Sequence, residues 1–352
     1  MDKPLVSVSI TTYNHQDYIA QAIDSVLMQK TNFDYEIIIG EDDSEDNTRA
    51  IVKEYKERYP DRIKLFLNSR GNVIYVNGRP TGRWNAVNNL KHARGQYIAL
   101  CEGDDYWTDP NKLQKQVDFL DANQDYVICF HWAGWLNQER GKIMNWKYGP
   151  PVVKSYYTVD DLLEHSNFIA TCSTVFRNKI FDDFPDWYYR VGIGDLPLHI
   201  LNAQHGKIGF LDEPMVVYRR HKGGMHGGNT QTENILRLLH TYHIMGTNLN
   251  LDRRLSFRTG VSKQYANLCE AYREEGKHIK ALRAGLKSMA IVPRNRKKNT
   301  LVRVLSILFP FSYKFYRLAR RSLAVIKNEG VRAFLVKAKC RIFRKSMSED
   351  DT

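Results

Sequence analysis

Short apolar runs alternate with longer stretches of helical spacing along the first two-thirds of the chain. Leu5–Thr11 is mostly apolar and β-branched and predicts a strand. TYNHQDY then breaks the pattern, and Tyr18–Met28 sets Ile19, Ile23, Val26 and Leu27 on one side of a helix. Tyr35–Gly40 reads as a second buried strand. It ends in EDDSEDNT, where Ser44, Asp46 or Asn47 suits the cap of a helix over Thr48–Tyr59. Ile63–Leu67 is a third strand, and the glycine-containing Asn68–Gly82 leads into a helix over Arg83–Ala93. Tyr97–Cys101 is an apolar run flanked by Gly95 and Gly103, followed by a helix over Lys112–Asn123 and a strand over Tyr126–Trp132. Strands alternating with helices of this length predict βαβ units and a largely parallel sheet.

The pattern then loosens. Gly134–Tyr157 is polar and aromatic and predicts a hairpin or loop outside the sheet; Val159–His165 is a short helix and Cys172–Arg177 a strand. Phe184–Gly194, FPDWYYRVGIG, suits a flexible loop over a site. Its Trp187 and Tyr188 offer either ring faces for a ligand to stack on or plain packing. Asp195 heads a helix over Leu196–Gln204, and Ile208–Leu211 and Met215–Tyr218 read as two short strands. Arg219–Gly228 is a glycine-rich loop with histidines at 221 and 226. Beyond Thr230 the spacing is helical, with a tetratricopeptide-like hairpin over Tyr265–Val292 broken near Gly276. Leu301–Phe343 then alternates apolar and basic positions. The expected division is an α/β domain over 1–228, a helical region over 229–293 and a basic amphipathic tail over 294–352.

Composition adds limits. With 352 residues, 43% hydrophobic and 26% charged, the chain is long enough for a full core and is of globular type. Five cysteines without a CxxC pair argue against a disulfide framework or a Cys-type zinc site and suit a reducing cytoplasm. The first residues carry no signal-peptide pattern, and no apolar run is long enough to span a bilayer. The net charge of +13 is uneven: Arg294–Lys345 holds 16 Lys or Arg against one acid, Glu329, which leaves −2 for the rest. Basic and apolar positions alternating on a helix are the pattern of an interfacial segment, so the tail is expected on an anionic membrane surface. A solvated helical bundle is the plainer reading. Nucleic acid is not expected as a partner, because the tail carries no recognisable RNA or DNA motif.

Candidate chemistry gathers at strand ends. Glu41–Asp43 and Asp104–Asp105 close two strands, and Thr and Asn close the first, so all would line the carboxyl edge of a sheet where nucleotides bind. The absence of GxGxxG after the first strand and of GxxxxGK[ST] disfavours a dinucleotide enzyme or a P-loop NTPase. Asp104 and Asp105 suit a divalent cation on a phosphorylated ligand, or simply a turn. Asp195, behind Gly192 and Gly194, suits a helix cap or a general base.

In order, TTYN, DDS with DNT, GDDYW followed by Pro and KL, IGD and YRRH resemble the family 2 glycosyltransferases of the GT-A fold, over about residues 4–228. The resemblance implies an inverting transfer of a sugar from a nucleotide-diphosphate donor, UDP-sugars favoured, to a glycan or lipid-linked acceptor, with Mg²⁺ or Mn²⁺. It implies that Thr11 and Tyr13 lie at the nucleotide, that Asp42 accepts a hydrogen bond from the base and that Arg83 lies near the nucleotide. Asp104 and Asp105 match the metal-binding acids, Asp105 as the direct ligand, and His221 matches a loop position that binds metal or diphosphate. Asp195 matches the catalytic base. Glu41 stands where many members have Asp, and the processive-synthase signature QxxRW is absent. The competing readings are a nucleotidyl or sugar-phosphate transferase, which would carry a glycine- and lysine-rich loop after the first strand, and a membrane- or polyanion-binding protein with an inert acid site.

Overall fold

The computed structural model describes residues 3–224 and 228–291. The chain divides into two compact units, Met1–Gln264 and Tyr265–Thr352. The expected basic tail over 294–352 and His226 lie outside the described residues.

The first unit begins β1 (Val6–Thr12), α1 (Ile19–Leu27), β2 (Tyr35–Glu41), α2 (Thr48–Arg58) and β3 (Ile63–Leu67). The small hairpin β4 (Ile74–Val76) and β5 (Arg79–Thr81) follows, then α3 (Arg83–Lys91), β6 (Tyr97–Glu102), β7 (Tyr106–Trp107) and α4 (Lys112–Ala122). β8 (Tyr126–Asn137), β9 (Lys142–Tyr148), α5 (Val159–His165) and β10 (Val175–Arg177) precede α6 (Asp195–Ala203), β11 (Lys207–Arg220) and α7 (Gln231–Asn248). The main sheet has the order β3-β2-β1-β6-β10-β8-β11-β7, with β9 on β8. Pairing is parallel from β3 through β6 and between β8 and β11; β10, β7 and β9 run antiparallel.

This order fixes where a ligand can sit. The chain leaves β1 for β2 and β3 on one side and returns to β6 on the other, so the strand order reverses at β1. A crevice opens outside the carboxyl ends of β1 and β6. Both strands are buried on both faces, as parallel strands under two helical layers must be. Ile37, Ile38 and Ile39 on β2 are all fully buried, each contributing about 1.5–3 kcal/mol. The serines that alternate along β1 are satisfied rather than exposed: Ser7 donates to Glu36 at 2.7 Å, and Asn89 Nδ2 donates to Ser9 at 3.3 Å. Trp107 is a buried wall residue, with the Lys112 ammonium 4.0 Å from its ring centre. Burial pushes the Lys112 pKa down to about 8.

Three expectations change, and one stretch read only as glycine-containing gains a definite form. Gly134–Tyr157 does begin with a hairpin, but as far as Tyr148 it belongs to the sheet: β8 continues through Asn137 because β11 pairs with it that far, and β9 folds back on it. The two short strands after α6 are one 14-residue strand with register shifts between Leu211 and Val216. Phe184–Gly194 is not a loose loop, since Trp187 and Tyr188 are buried in the core. Asn68–Gly82 contains a hairpin whose Asn77 and Gly78 both have positive φ, 51° and 74°, the primed geometry that matches strand twist.

The second unit contains the end of α8 (Leu255–Glu274) and α9 (His278–Ile291). Ala266, Leu268, Cys269 and Ala271 on α8 and Ala281 and Ala284 on α9 are buried. Among the described residues, no helix is long and apolar enough to cross a membrane.

Candidate active site

The first group of functional side chains lies at the ends of β1 and β2. Asp42 follows β2 and is held by Arg70 at 3.1 Å; the Arg70 guanidinium lies 4.3 Å from the centre of the Tyr13 ring. These three form one slot with an aromatic wall and a carboxylate. Burial pushes the Asp42 carboxyl up to about 6, with Arg70 opposing and Glu41 adding to the rise. Glu41 itself faces inward: it pairs with Arg49 and accepts the Ser44 N–H at 2.6 Å, which shapes the turn rather than the slot.

The second group lies at the ends of β1, β6 and β11. Thr11 and Glu102 are register partners across β1 and β6, and the Thr11 hydroxyl donates to the Glu102 carboxylate. Glu102 is the floor of the crevice. Burial raises its pKa to about 7, and the charges of Asp104 and Asp195 add to the rise, so it feels acids on both sides. Asp104 Oδ2 lies 3.0 Å from His221 Nε2 and 3.9 Å from His15 Nε2. One ligand atom from each of His15, Asp104 and His221 falls within 4.8 Å of the others. Burial alone would raise Asp104, but the hydrogen bond with His221 and the nearby His15 hold it below the usual carboxylate range. Burial lowers His15 and favours its neutral ring. Thr12 Oγ1 lies 3.2 Å from His15 Nδ1, leaving Nε2 toward Asp104. Gly103 is required here, because a Cβ would come within 2.6 Å of Thr12 Oγ1 and 2.8 Å of His15 Nδ1.

Asp105 has a different place. It is 1% exposed, and its Oδ1 accepts the Arg219 backbone N–H at 2.8 Å. Burial and the adjacent Asp104 push its pKa well above the usual range. It stands outside the cluster of three and fastens β11 two residues before His221. Arg219 completes the clasp: Nε donates to the Asp104 carbonyl at 2.7 Å and Nη2 to Gln21 on α1 at 2.6 Å.

The third group surrounds Asp195 at the first turn of α6. Asn167 Nδ2 donates to Asp195 Oδ2 at 2.7 Å, and Oδ1 accepts the Leu196 N–H at 2.7 Å. Arg83 opens α3, is buried, donates to the Val191 carbonyl at 3.3 Å and lies over the Tyr188 ring. A Cβ on Gly194 would fall 1.3 Å from Arg83 Nη1, so only glycine lets this guanidinium lie against the segment that leads into Asp195. One turn after Asp195, His199 is fully buried, and burial lowers its pKa to about 4.

Residues 7–184, just over half of the chain, match the family model for Glycosyl transferase family 2. The chain belongs to this family. Among relatives of this glycosyltransferase, an uncharacterized protein of Mycobacterium tuberculosis, Rv1520, is 37% identical over 227 residues, 62% of this chain and 60% of that protein. The putative teichuronic acid biosynthesis glycosyltransferase TuaG of Bacillus subtilis is 31% identical, over 50% of this chain and 63% of its own. The Escherichia coli enzyme WfgD, a UDP-Glc:α-D-GlcNAc-diphosphoundecaprenol β-1,3-glucosyltransferase, is 38% identical over 35% of this chain and 44% of its own. The chain thus spans about 60% of the length of the first curated relatives it matches. Among solved structures, Staphylococcus aureus TarS 1–349 superimposes with a TM-score of 0.53 at 15% identity, covering 92% of this chain and 91% of that one, a likeness of fold.

The structure brings Thr11, Tyr13, Asp42, Asp104, His221, Arg83 and Asp195 to the carboxyl edge of the glycosyltransferase sheet and turns Asp105 inward. Sequence reasoning passed over His15, Glu102, Arg70 and Asn167. Two of these had a signal: Glu102 directly follows the apolar run of β6, and His15 sits in the segment that leaves β1. Arg70 and Asn167 lie in loops with no pattern to mark them.

Proposed function

We propose that this chain transfers a sugar, with inversion, from a nucleoside diphosphate sugar to a hydroxyl of a glycan or lipid-linked acceptor in cell-surface polysaccharide synthesis. The observation that carries the reading is the convergence of one carboxylate and two imidazoles, Asp104, His15 and His221, at the reversal point of the strand order. That is where a diphosphate would lie between the slot at Tyr13 and Asp42 and the carboxylate of Asp195. The names of TuaG and WfgD support the cell-surface setting and a UDP-linked donor.

The donor set fits a divalent cation. Asp104 is held ionised and His15 neutral, the forms that bind metal. Two imidazoles beside one carboxylate suit Mn²⁺ better than Mg²⁺, which prefers oxygen and retains its water. When bound, such a cation neutralises the diphosphate and makes it a better leaving group. The chain's own residues do the rest. Tyr13 and Asp42 hold the base, and Arg83 faces the negative donor. Asp195 takes the proton from the attacking hydroxyl, and Asn167 fixes the orientation of its carboxylate.

The test is thermal unfolding of the full chain with UDP, GDP and their sugars, with and without Mn²⁺. A nucleotide at about 100 times its Kd is expected to stabilise the chain by about 2.7 kcal/mol, and more with Mn²⁺ than without. No response to any nucleotide with Mn²⁺ present sinks the reading. A second expectation concerns pH. Asp42 loses its charge as pH falls through about 6, so it becomes a much weaker acceptor for the base. Metal-free UDP affinity should drop about tenfold between pH 7 and pH 5. Calorimetric titration checks this, and Asp42→Asn should flatten the profile. An unchanged slope in that variant would place the titration elsewhere.

A further inference from the structure

A second cleft opens beside the segment that leads into Asp195. It measures about 240 Å³ and is framed by the β4–β5 hairpin, Gly192 and the first two turns of α7. Arg79, Thr81, Glu233, Leu236 and Arg237 line it. Its charge is the unusual feature. Arg79 reaches from the hairpin tip to Glu233 and Asn229. Glu233 is shared, since its Oε2 also accepts the Thr230 N–H at 2.9 Å in the capping box of α7. Arg237, one turn further on, donates to the Gly192 carbonyl at 3.0 Å.

Arg83 lies at the inner end of the same group. It is 7% exposed, it too donates to a backbone carbonyl, that of Val191, and its Nε has no partner. Among the described residues, neither Arg83 nor Arg237 forms an ion pair within 4.0 Å. Half-buried Arg237 is close enough to the guanidiniums of Arg79 and Arg83 to feel both charges. Burial first, and the charges of Arg79 and Arg83 after it, depress its pKa, against Asp195 and Glu233. A guanidinium under such strain in a walled cleft is relieved by an anion, and its planar fork matches carboxylate or phosphate.

We propose that this cleft is an acceptor subsite for an anionic group, a phosphate or a carboxylate, held by Arg237 and Arg79. This rests on the reading of Asp195 as the residue that attends the acceptor hydroxyl. The acceptor then enters past the hairpin, with its anion on Arg237 and its hydroxyl toward Asp195. Val76 and Leu236 give the cleft apolar walls that a sugar ring or alkyl chain can cover.

The experiment uses the full chain in EDTA, so that the cation site makes no contribution, at constant ionic strength set with NaCl. Thermal unfolding is followed against inorganic phosphate and, separately, against D-glucuronate. At least one is expected to raise the unfolding midpoint beyond the chloride control. Arg237→Gln and Arg79→Gln should each weaken the apparent affinity at least tenfold, and Arg237→Lys less. A response to phosphate alone identifies a phosphorylated acceptor, a response to glucuronate alone a uronate, and a response to both the shared anion chemistry. The response should survive His221→Ala, which separates this cleft from the cation cluster. The proposal is overturned by equal stabilisation in chloride, by full affinity in Arg237→Gln, or by loss of the response in His221→Ala. Arg79→Gln, at an exposed position, keeps the test open if Arg237→Gln folds poorly. Stabilisation of Arg237→Gln by UDP with Mn²⁺ is measured alongside. If native chain and variant both respond to UDP but the anion tests fail, the cleft assignment falls and the enzyme reading stands.

Discussion

An Asp195→Asn variant is expected to transfer sugar about 10²- to 10⁴-fold more slowly than the native chain, with its affinity for the donor nucleotide unchanged. The amide is isosteric and its oxygen can still accept the Leu196 N–H, but its NH2 then meets the Asn167 amide nitrogen, so the hydrogen bond from Asn167 is lost. It also removes the capacity to take a proton. The competing role makes the opposite prediction. If Asp195 serves only to satisfy the start of α6, the variant should lose about 1 kcal/mol of stability or less and keep a near-native rate. Initial rates with a UDP-sugar and Mn²⁺, read beside the thermal midpoint, separate the two. A native rate would remove Asp195 from the chemistry. The carboxylate is suited to the base role because Asn167 fixes its other oxygen and the crevice floor beneath it is itself acidic.

Asp104→Ala is the second large effect. It removes the only carboxylate of the cluster of three, so the two imidazoles that remain have no fixed negative charge beside them to hold a cation. Transfer at saturating Mn²⁺ is expected to fall about 10²- to 10³-fold. The part of nucleotide stabilisation that depends on Mn²⁺ should disappear, while the metal-independent part stays. Asp105→Asn is the informative partner. Its oxygen still accepts from the Arg219 N–H, and the native group is already held toward its neutral form by burial. The Mn²⁺ response of that variant should therefore stay close to native. If Asp105→Asn loses the response and Asp104→Ala keeps it, the cation belongs to Asp105 and the assignment made from the geometry is wrong.

The neighbouring acids illustrate what a sequence can and cannot reveal. Their position at the end of an apolar run was legible, because a buried strand must end and its last residues meet the sheet edge. Which of the two faces the ligand depends on where Arg219 arrives, 114 residues later, to claim one of them. The alternating strands and helices as far as β8 were legible for the same local reason: their periodicity is set within each element. The far side of the sheet was not, because β8 and β11 owe their length to each other. Loop residues such as Arg70 gain meaning only through the Tyr13 ring and the Asp42 carboxylate, which the fold delivers from other elements. Gly194 could be read as permission for unusual angles. The structure gives it another reason, since its missing side chain is the space that the Arg83 guanidinium fills.

Strand β11 sets where this chain can take an inserted residue near the site. Its first half pairs with the start of β8 and its second half with the end, and the irregular pairing from Leu211 to Val216 lets the halves keep separate registers. A residue inserted among 212–214 falls where the ladder is already interrupted, so both halves stay on their partners. A residue inserted between Val216 and Arg220 would turn every later side chain to the opposite face. The Arg219 amide would leave Asp105, and the imidazole at 221 would leave the crevice. One strand thus contains both a stretch that can take an inserted residue and a stretch of five positions, Val216–Arg220, whose spacing keeps the Arg219 amide on Asp105 and the His221 imidazole beside Asp104.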